Sequence, residues 1–265
     1  MELSKRLQAV ADLLDCHDRI ADIGCDHGFV SIYLIESKKA RKCLAMDVNI
    51  GPLERAKEHV MEKRLSTYIE TRLSDGAKAI QFIEKDDGGK KLEVDAALIA
   101  GMGGRLMIQI IQDSLNKFQS MEEFVLQPQS EIAKVRRFVR EIGYHIEKED
   151  MVLEDGKYYP MMKGVRGECG LNGSVDVPEC IRHKIAEGEI VDTDISFLCD
   201  EYGECLLKEK HPVLLQFLKK EKALYQEILL DLEQRNTEKS AIRRKEIMEK
   251  LKYIHLGLEW FEYEM

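Results

Sequence analysis

The 265-residue chain has one tryptophan and five prolines, aromatic residues make up 7% of it, and it has no run of the roughly 18 to 20 uninterrupted apolar residues that a membrane span needs. Its N-terminus, Met1-Glu2-Leu3-Ser4-Lys5-Arg6, lacks the apolar block of a signal peptide, so a cytoplasmic location and no membrane partner are expected. Its seven cysteines (Cys16, Cys25, Cys43, Cys169, Cys180, Cys199, Cys205) are odd in number and never spaced C-x-x-C, so neither a disulfide framework nor a metal site is expected. There is no aromatic–basic stripe of the kind that stacks single strands, and Trp260 reads as an anchor for the last helix.

Charge of positive sign is also in deficit. The net charge of -9 argues against nonspecific coating of nucleic acid while leaving room for a local basic face. Between residues 147 and 209, sixteen acids stand against seven Lys/Arg, so that one segment carries the whole imbalance.

What is present is an alternation. Ser4 can cap an opening helix bearing Leu7, Val10, Leu13 and Leu14. Arg19 to Ile23, Cys43 to Met46, Tyr68 to Glu70, Val94 to Ala100 and Phe124 to Leu126 then read as strands. Phe29 to Glu36, Leu53 to Lys63, Gly76 to Glu84, Leu106 to Phe118 and Ile132 to Ile142 read as the helices between them. This is the pattern of a doubly wound, mostly parallel α/β sheet. Tyr144 to Leu153 and Tyr158 to Val165 flank an Asp155-Gly156 turn and should end the sheet as an antiparallel hairpin.

The expected organisation is a catalytic domain over 1–165, an acidic surface insertion or linker rich in glycine over 166–200, and a C-terminal helical hairpin over 201–265. Ile247, Leu251, Ile254, Leu258 and Phe261 step by four and three, and Leu214, Leu218, Tyr225, Ile228 and Leu232 form a matching stripe, so the hairpin is expected to be coiled-coil-like. An exposed apolar stripe on the hairpin would dimerise the chain, whereas a mutually buried seam would leave it the expected monomer.

The first strand runs into Asp22-Ile23-Gly24-Cys25-Asp26-His27-Gly28, a glycine turn that opens a helix. A dinucleotide fold would show G-x-G-x-x-G here, whereas the acid at Asp22 suits a cationic ligand, and the D-x-G-x-x-x-G arrangement resembles motif I of Rossmann-like methyltransferases, whose cofactor S-adenosylmethionine carries a sulfonium and an ammonium. Asp47 follows Asp22 by 25 residues and ends the second strand, where a carboxylate can accept both ribose hydroxyls of an adenosyl cofactor; NAD-binding proteins use the same device. Leu73-Ser74-Asp75-Gly76 resembles the methyltransferase element whose acid accepts from the adenine amino group, and Asp75 can equally cap a helix. The fourth strand ends in Gly101-Met102-Gly103-Gly104, where small residues admit a flat base or pack against the helix, and the Asn/Asp-Pro-Pro-aromatic run of exocyclic-amine methyltransferases is missing.

Leu3-Ser4-Lys5-Arg6-Leu7, the Asp22 to Gly28 loop, Asp47-Val48-Asn49-Ile50-Gly51-Pro52-Leu53, Leu73 to Gly76 and Ala100 to Gly104 together closely resemble the TrmK family, bacterial tRNA (adenine(22)-N1)-methyltransferases. The resemblance continues in Leu126-Gln127-Pro128, Glu154 to Tyr159 and Tyr202 to Leu207. The departures are a long stretch from about Gly164 to Asp194 and Glu204 where a proline is expected.

The resemblance implies a Rossmann-like class I methyltransferase with S-adenosylmethionine as cofactor and tRNA as partner. It implies cofactor contacts at Asp22, Gly24, His27, Gly28, Asp47, Val48, Ser74, Asp75, Gly76, Gly101 and Met102. Because adenine N1 has an in-plane lone pair, in-line displacement needs alignment and a dry pocket more than a strong base. Asp26, Asn49 and Gln127 are the candidates for positioning the base. Asp26 is equally a helix-N-terminal acid, Asn49 and Gln127 equally loop caps, and His27 is not assigned as a base. Lys134, Arg136, Arg137 and Arg140 on one helix are the candidate RNA contacts, with Lys38, Lys39, Arg41 and Lys42 a second group; solvated surface charge is the plain alternative. Tertiary shape, read by both domains, is the expected basis of recognition. Two other readings remain: methylation of another substrate, or a cofactor-binding module whose hairpin recruits a partner.

Overall fold

Apolar strand runs become a sheet only where helices cover both of its faces, and the chain supplies those helices in the crossovers. The computed structural model describes residues 3–85, 88–167, 177–234 and 237–262. The chain divides into two compact units, Met1–Cys169 and Gly170–Met265.

In chain order the first unit holds α1 (Lys5–Leu13), β1 (His17–Ile23), α2 (Phe29–Glu36), β2 (Ala40–Asp47), α3 (Ile50–Glu62), β3 (Ile69–Leu73), β4 (Phe82–Glu84) and β5 (Lys90–Leu92). It continues through β6 (Ala96–Met102), α4 (Gly104–Asp113), α5 (Leu115–Phe118), β7 (Glu123–Pro128), α6 (Ile132–Glu141), β8 (Tyr144–Glu154) and β9 (Lys157–Arg166). Seven strands form one sheet in the order β3-β2-β1-β6-β7-β9-β8; β3, β2, β1, β6 and β7 pair in parallel, and β9 enters antiparallel between β7 and β8. The chain winds outward from β1 in one direction and from β6 in the other, so the switch point lies at the carboxyl edge between them.

Each face has its own core. Val10, Leu13, Val30, Leu34, Ala56 and Val60 from α1, α2 and α3 cover one face. Met107, Ile111, Phe118, Val135 and Val139 from α4, α5 and α6 cover the other, joined by Ala77 and Ile80. Ser4 caps α1 by accepting from the Leu7 N–H at 3.3 Å. The β8–β9 turn is the two-residue type the Asp-Gly pair predicts, with φ of 48° at Asp155 and 74° at Gly156.

Two expected helices are corrected. The span Gly76 to Glu84 forms a turn followed by β4, which pairs antiparallel with β5. The Ser74 hydroxyl donates to the Gly76 carbonyl at 2.7 Å and accepts from the Ala79 N–H at 3.1 Å, holding those backbone groups in a turn where a helical ladder would need them. The helix expected over Leu106 to Phe118 breaks into α4 and α5 at Ser114, whose φ of -133° is not helical.

The second unit is all helical: α7 (Glu179–Ala186), α8 (Asp192–Tyr202), α9 (Glu204–Lys208), α10 (Pro212–Glu233) and α11 (Glu238–Glu262). Leu214, Leu218 and Leu232 of α10 and Ile247, Leu251, Ile254 and Leu258 of α11 are buried. The surface insertion expected over 166–200 is corrected from residue 177 onward, because Val177, Ile181, Ile190, Ile195 and Leu198 are buried in this unit. Its acids also tie helices together. Asp194 accepts from Lys252 Nζ at 2.8 Å and from the Tyr253 hydroxyl at 2.9 Å, and Lys184 pairs with Glu259 at 2.8 Å. Gly170 and Gly173, read as parts of that insertion, lie outside the described residues. No helix among the described residues is long and apolar enough to cross a membrane.

Candidate active site

A cleft of about 480 Å³ opens at the carboxyl edge of β1, β2 and β6, within the roughly 300–1,000 Å³ of small-molecule sites. Its floor is a glycine loop. The Gly24 and Cys25 N–H groups both donate to the Met46 carbonyl at 2.8 Å, which folds the loop onto β2. Gly24 has φ +79°, and a Cβ there would lie 2.1 Å from Met102 Cε, so only glycine lets the loop and the methionine approach this closely.

Two carboxylates stand at adjacent strand ends. Asp22 is 2% exposed, and its carboxylate accepts from the Ser31 hydroxyl at 2.6 Å. Burial, with the neighbouring Asp47 charge adding to it, pushes Asp22 up to about 6 against the pull of the Ser31 hydrogen bonds. Asp47 Oδ1 accepts from the Asn49 N–H at 2.8 Å and Oδ2 from the Asp26 N–H at 3.2 Å. A carboxylate has about four acceptor positions, so two remain for hydroxyls of a ligand.

The rim is partly apolar. Val48 is 59% exposed and Leu106 53%, and both line the cleft with Pro52. Exposed aliphatic surface beside carboxylates suits a ligand with a flat ring next to hydroxyls and a cation. Asp75 is paired with Lys78, and Ser74 is buried in the turn. Gly101 has φ +78° where β6 shifts register against β7, which turns Met102 toward the glycine loop.

The structure brings together Asp22, Gly24, Asp26, His27, Asp47, Val48, Asn49, Ser74, Asp75, Gly76, Gly101 and Met102 as lining residues. Gly28 does not line the cleft: with φ +73° it caps α2 and packs against Ala56. Gln127, expected to hold the base, is corrected to a supporting place. It is fully buried, and its Oε1 accepts from the Gly101 N–H at 3.1 Å and from Arg6 Nη1 at 2.8 Å. Arg136, expected to contact RNA, is corrected as well: it is 1% exposed and ion-paired with Glu149 at 2.7 Å. Lys134 and Arg137 are exposed, Arg140 is half-buried, and Lys134 pairs with Glu131.

Arg6 and Gln129 also line the cleft, and sequence reasoning gave neither a role. Arg6 reaches in from α1, its guanidinium 5.1 Å from the centre of the Tyr159 ring, and the Gln129 N–H donates to the Met102 carbonyl at 2.8 Å. The one available signal was the Leu3 to Leu7 motif; no spacing rule places an opening helix over the end of β6. Among the described residues no group of three or more His, Cys, Asp or Glu is arranged to hold a metal ion.

A switch-point cleft with a glycine loop and two strand-end carboxylates, in a chain whose residues 3–162 match the methyltransferase domain family model, defines a Rossmann-like methyltransferase domain. The tRNA (adenine(22)-N(1))-methyltransferase of Bacillus subtilis is 33% identical over 168 residues, which is 63% of this chain and 67% of that protein. The crystal structure of the Bacillus subtilis m1A22 tRNA methyltransferase TrmK superposes with a TM-score of 0.73 at 27% identity, covering 97% of this chain and 99% of that one. A candidate tRNA (m1A22) methyltransferase from Streptococcus pneumoniae, solved with S-adenosyl-L-methionine bound, gives a TM-score of 0.73 at 26% identity over 97% of this chain and all of that one. The chain belongs to the TrmK family of bacterial tRNA (m1A22) methyltransferases.

Proposed function

We propose that the protein transfers the methyl group of S-adenosylmethionine to N1 of adenine 22 in tRNA. The observation that carries this reading is the pair of carboxylates, Asp22 and Asp47, at adjacent strand ends around the Gly24 loop in a chain of this family. The cofactor supplies an electrophilic methyl on a sulfonium. Asp22 faces its ammonium, Asp47 its ribose hydroxyls, and Val48 and Leu106 the faces of its adenine; Asp75 and Ser74 border the ring edge.

The methionine end also carries a carboxylate, and among the described residues Arg6 is the one Lys or Arg in the cleft lining. Arg6 is therefore assigned to that carboxylate. Replacing Arg6 by alanine should weaken S-adenosylmethionine binding about 10- to 100-fold, the worth of one charge-assisted hydrogen bond. Titration calorimetry showing an unchanged Kd would remove the assignment.

Asp26 and Asn49 at the mouth are the proposed holders of the target base, with Gln127 acting through the Gly101 turn. No strong base is assigned, because N1 attacks with a ring lone pair; the chain's task is to align the reacting atoms and exclude water. Of the helical charges, Lys134, Arg137 and Arg140 remain proposed RNA contacts. The α10–α11 pair is proposed as a short antiparallel coiled coil and the protein as a cytoplasmic monomer, in keeping with the buried α10 and α11 leucines.

Asp22 gives a pH dependence of definite sign. Its native pKa of about 6 lies above the ordinary 3.8, so the empty fold holds this proton to higher pH than the unfolded chain does. The stability this group contributes is complete below about pH 4 and is lost as pH rises through about 6. Cofactor binding needs the ionised form, so affinity should fall by up to tenfold per unit as pH drops below about 6. An Asp22→Asn variant should bind weakly with no such slope, and a flat profile in the unaltered protein would contradict the assignment.

The test of function is transfer of labelled methyl to unmodified tRNA carrying adenine 22, beside the same tRNA with guanine there. 1-Methyladenosine in the first alone is expected. Equal labelling of both would discard the site, and cofactor binding without turnover would favour the binding-module reading.

A further inference from the structure

A second cavity, of about 240 Å³, adjoins the cleft, and Phe29 lines both. Phe29 and Tyr33 of α2 and His59 of α3 wall it, with Leu3 and Ile32 as its apolar side. The rings form a cluster: His27 stacks on Phe29 with centroids 5.6 Å apart, Phe29 on His59 at 4.7 Å, and His27 and His59 lie 6.0 Å apart. The His59 ring is held in place, because its Nδ1 donates to the His27 carbonyl at 2.9 Å.

Alongside the rings runs a ridge of nitrogen-bearing side chains. Arg55, His59 and Lys63 recur every fourth residue along α3 and its C-cap, and so rise along one face in steps of about 6 Å. Arg55 Nε donates to His27 Nδ1 at 3.3 Å, which places the head of the ridge at the cleft mouth. Lys63 sits at the far cavity with Glu36 3.4 Å away. A cationic track beside stacked rings is the arrangement that holds single-stranded nucleic acid, with ring faces taking bases and cations the backbone.

We propose that this ring-and-cation surface on α2 and α3 is a nucleotide subsite, taking the base next to the target adenine in the tRNA strand. The inference rests on the reading of the cleft as the methylation site. To expose N1 the adenine must leave its stack, and the neighbouring nucleotide then emerges unstacked at the cleft mouth. Phe29 and His59 restack it, Glu36 and Glu62 on the rim accept from its amino groups, and Arg55 and Lys63 neutralise the flanking phosphates. No linear aromatic–basic stripe exists in the sequence, since the rings meet only after α2 and α3 pack together.

The test is filter binding of unmodified tRNA across a salt series, with cofactor calorimetry and a melting curve on each variant. His59→Ala should weaken tRNA binding about tenfold, and His59→Phe, which keeps a ring to stack on, should restore most of it. The Arg55→Gln/Lys63→Gln pair should lower the slope of log affinity on log salt by about 1.4. Cofactor Kd should change far less than tRNA affinity in His59→Phe and in the Arg55/Lys63 pair, since both touch the cofactor cleft only through His27. A tRNA carrying 4-thiouridine beside adenine 22 should crosslink on irradiation to a peptide from α2 or α3. Unchanged tRNA affinity and salt slope in every variant, or a cofactor Kd that changes in step with tRNA affinity, would overturn the subsite. Loss of tRNA affinity in His59→Ala from a protein that does not methylate adenine 22 would leave the subsite standing and fail the reading of the cleft.

Discussion

Replacing Asp47 by alanine is expected to weaken S-adenosylmethionine binding by at least about 100-fold, because two hydrogen bonds to a charged acceptor are lost at roughly 1.5–3 kcal/mol each. The loss has a second source. The Asp47 carboxylate also accepts the Asn49 and Asp26 N–H groups, so its removal loosens both loops that flank the ligand. Asp47→Asn keeps one acceptor oxygen and should fall between the two. The melting temperature of the cofactor-free protein should change far less than the affinity. A calorimetric Kd within threefold of the unaltered protein would show that Asp47 organises loops without touching the ligand.

The largest expected stability effect lies on the far side of the sheet. Arg136 and Glu149 are each about 1% exposed in their side chains and meet at 2.7 Å, joining α6 to β8. Glu149→Ala removes the buried carboxylate that meets the Arg136 guanidinium, which should cost about 3–5 kcal/mol of unfolding free energy. The Arg136→Met/Glu149→Leu double replacement should recover much of that, since a well-packed apolar pair carries no desolvation penalty. Urea denaturation of both variants checks this. A single variant within about 1 kcal/mol of the unaltered protein would mean that water reaches the site when the pair is broken.

Arg136 also shows where sequence reading stops. Helical spacing puts Lys134, Arg136, Arg137 and Arg140 on one short helix, but it does not say which of them faces the sheet, and a glutamate thirteen residues away decided the matter. By contrast, the glycine and aspartate positions at Asp22, Gly24, Asp47 and Gly101 were legible, because strand-end geometry demands those residue types locally. Gln127 was read correctly as a strand-end residue and wrongly as a cleft residue, since side-chain direction at a bulged edge depends on the register of β6 against β7. The turn at Ser74 to Ala79 escaped because one hydroxyl outweighs a weak helical pattern. Arg6 escaped because its place depends on packing across more than a hundred residues of chain.

The position of β9 has a consequence for the order in which the molecule can be assembled. β8 is made first but pairs only with β9, and β9 alone joins it to β7. While the chain emerges, the fully buried run Glu123–Pro128 must therefore wait as an open edge, a template for unwanted pairing, until residue 166 has been added. The two-residue turn shortens that wait, since so local a hairpin closes in about 1–10 μs and can dock as a preformed unit. Chains ending before Lys157 should accordingly be prone to aggregation, even though every cleft-lining residue is already present in them.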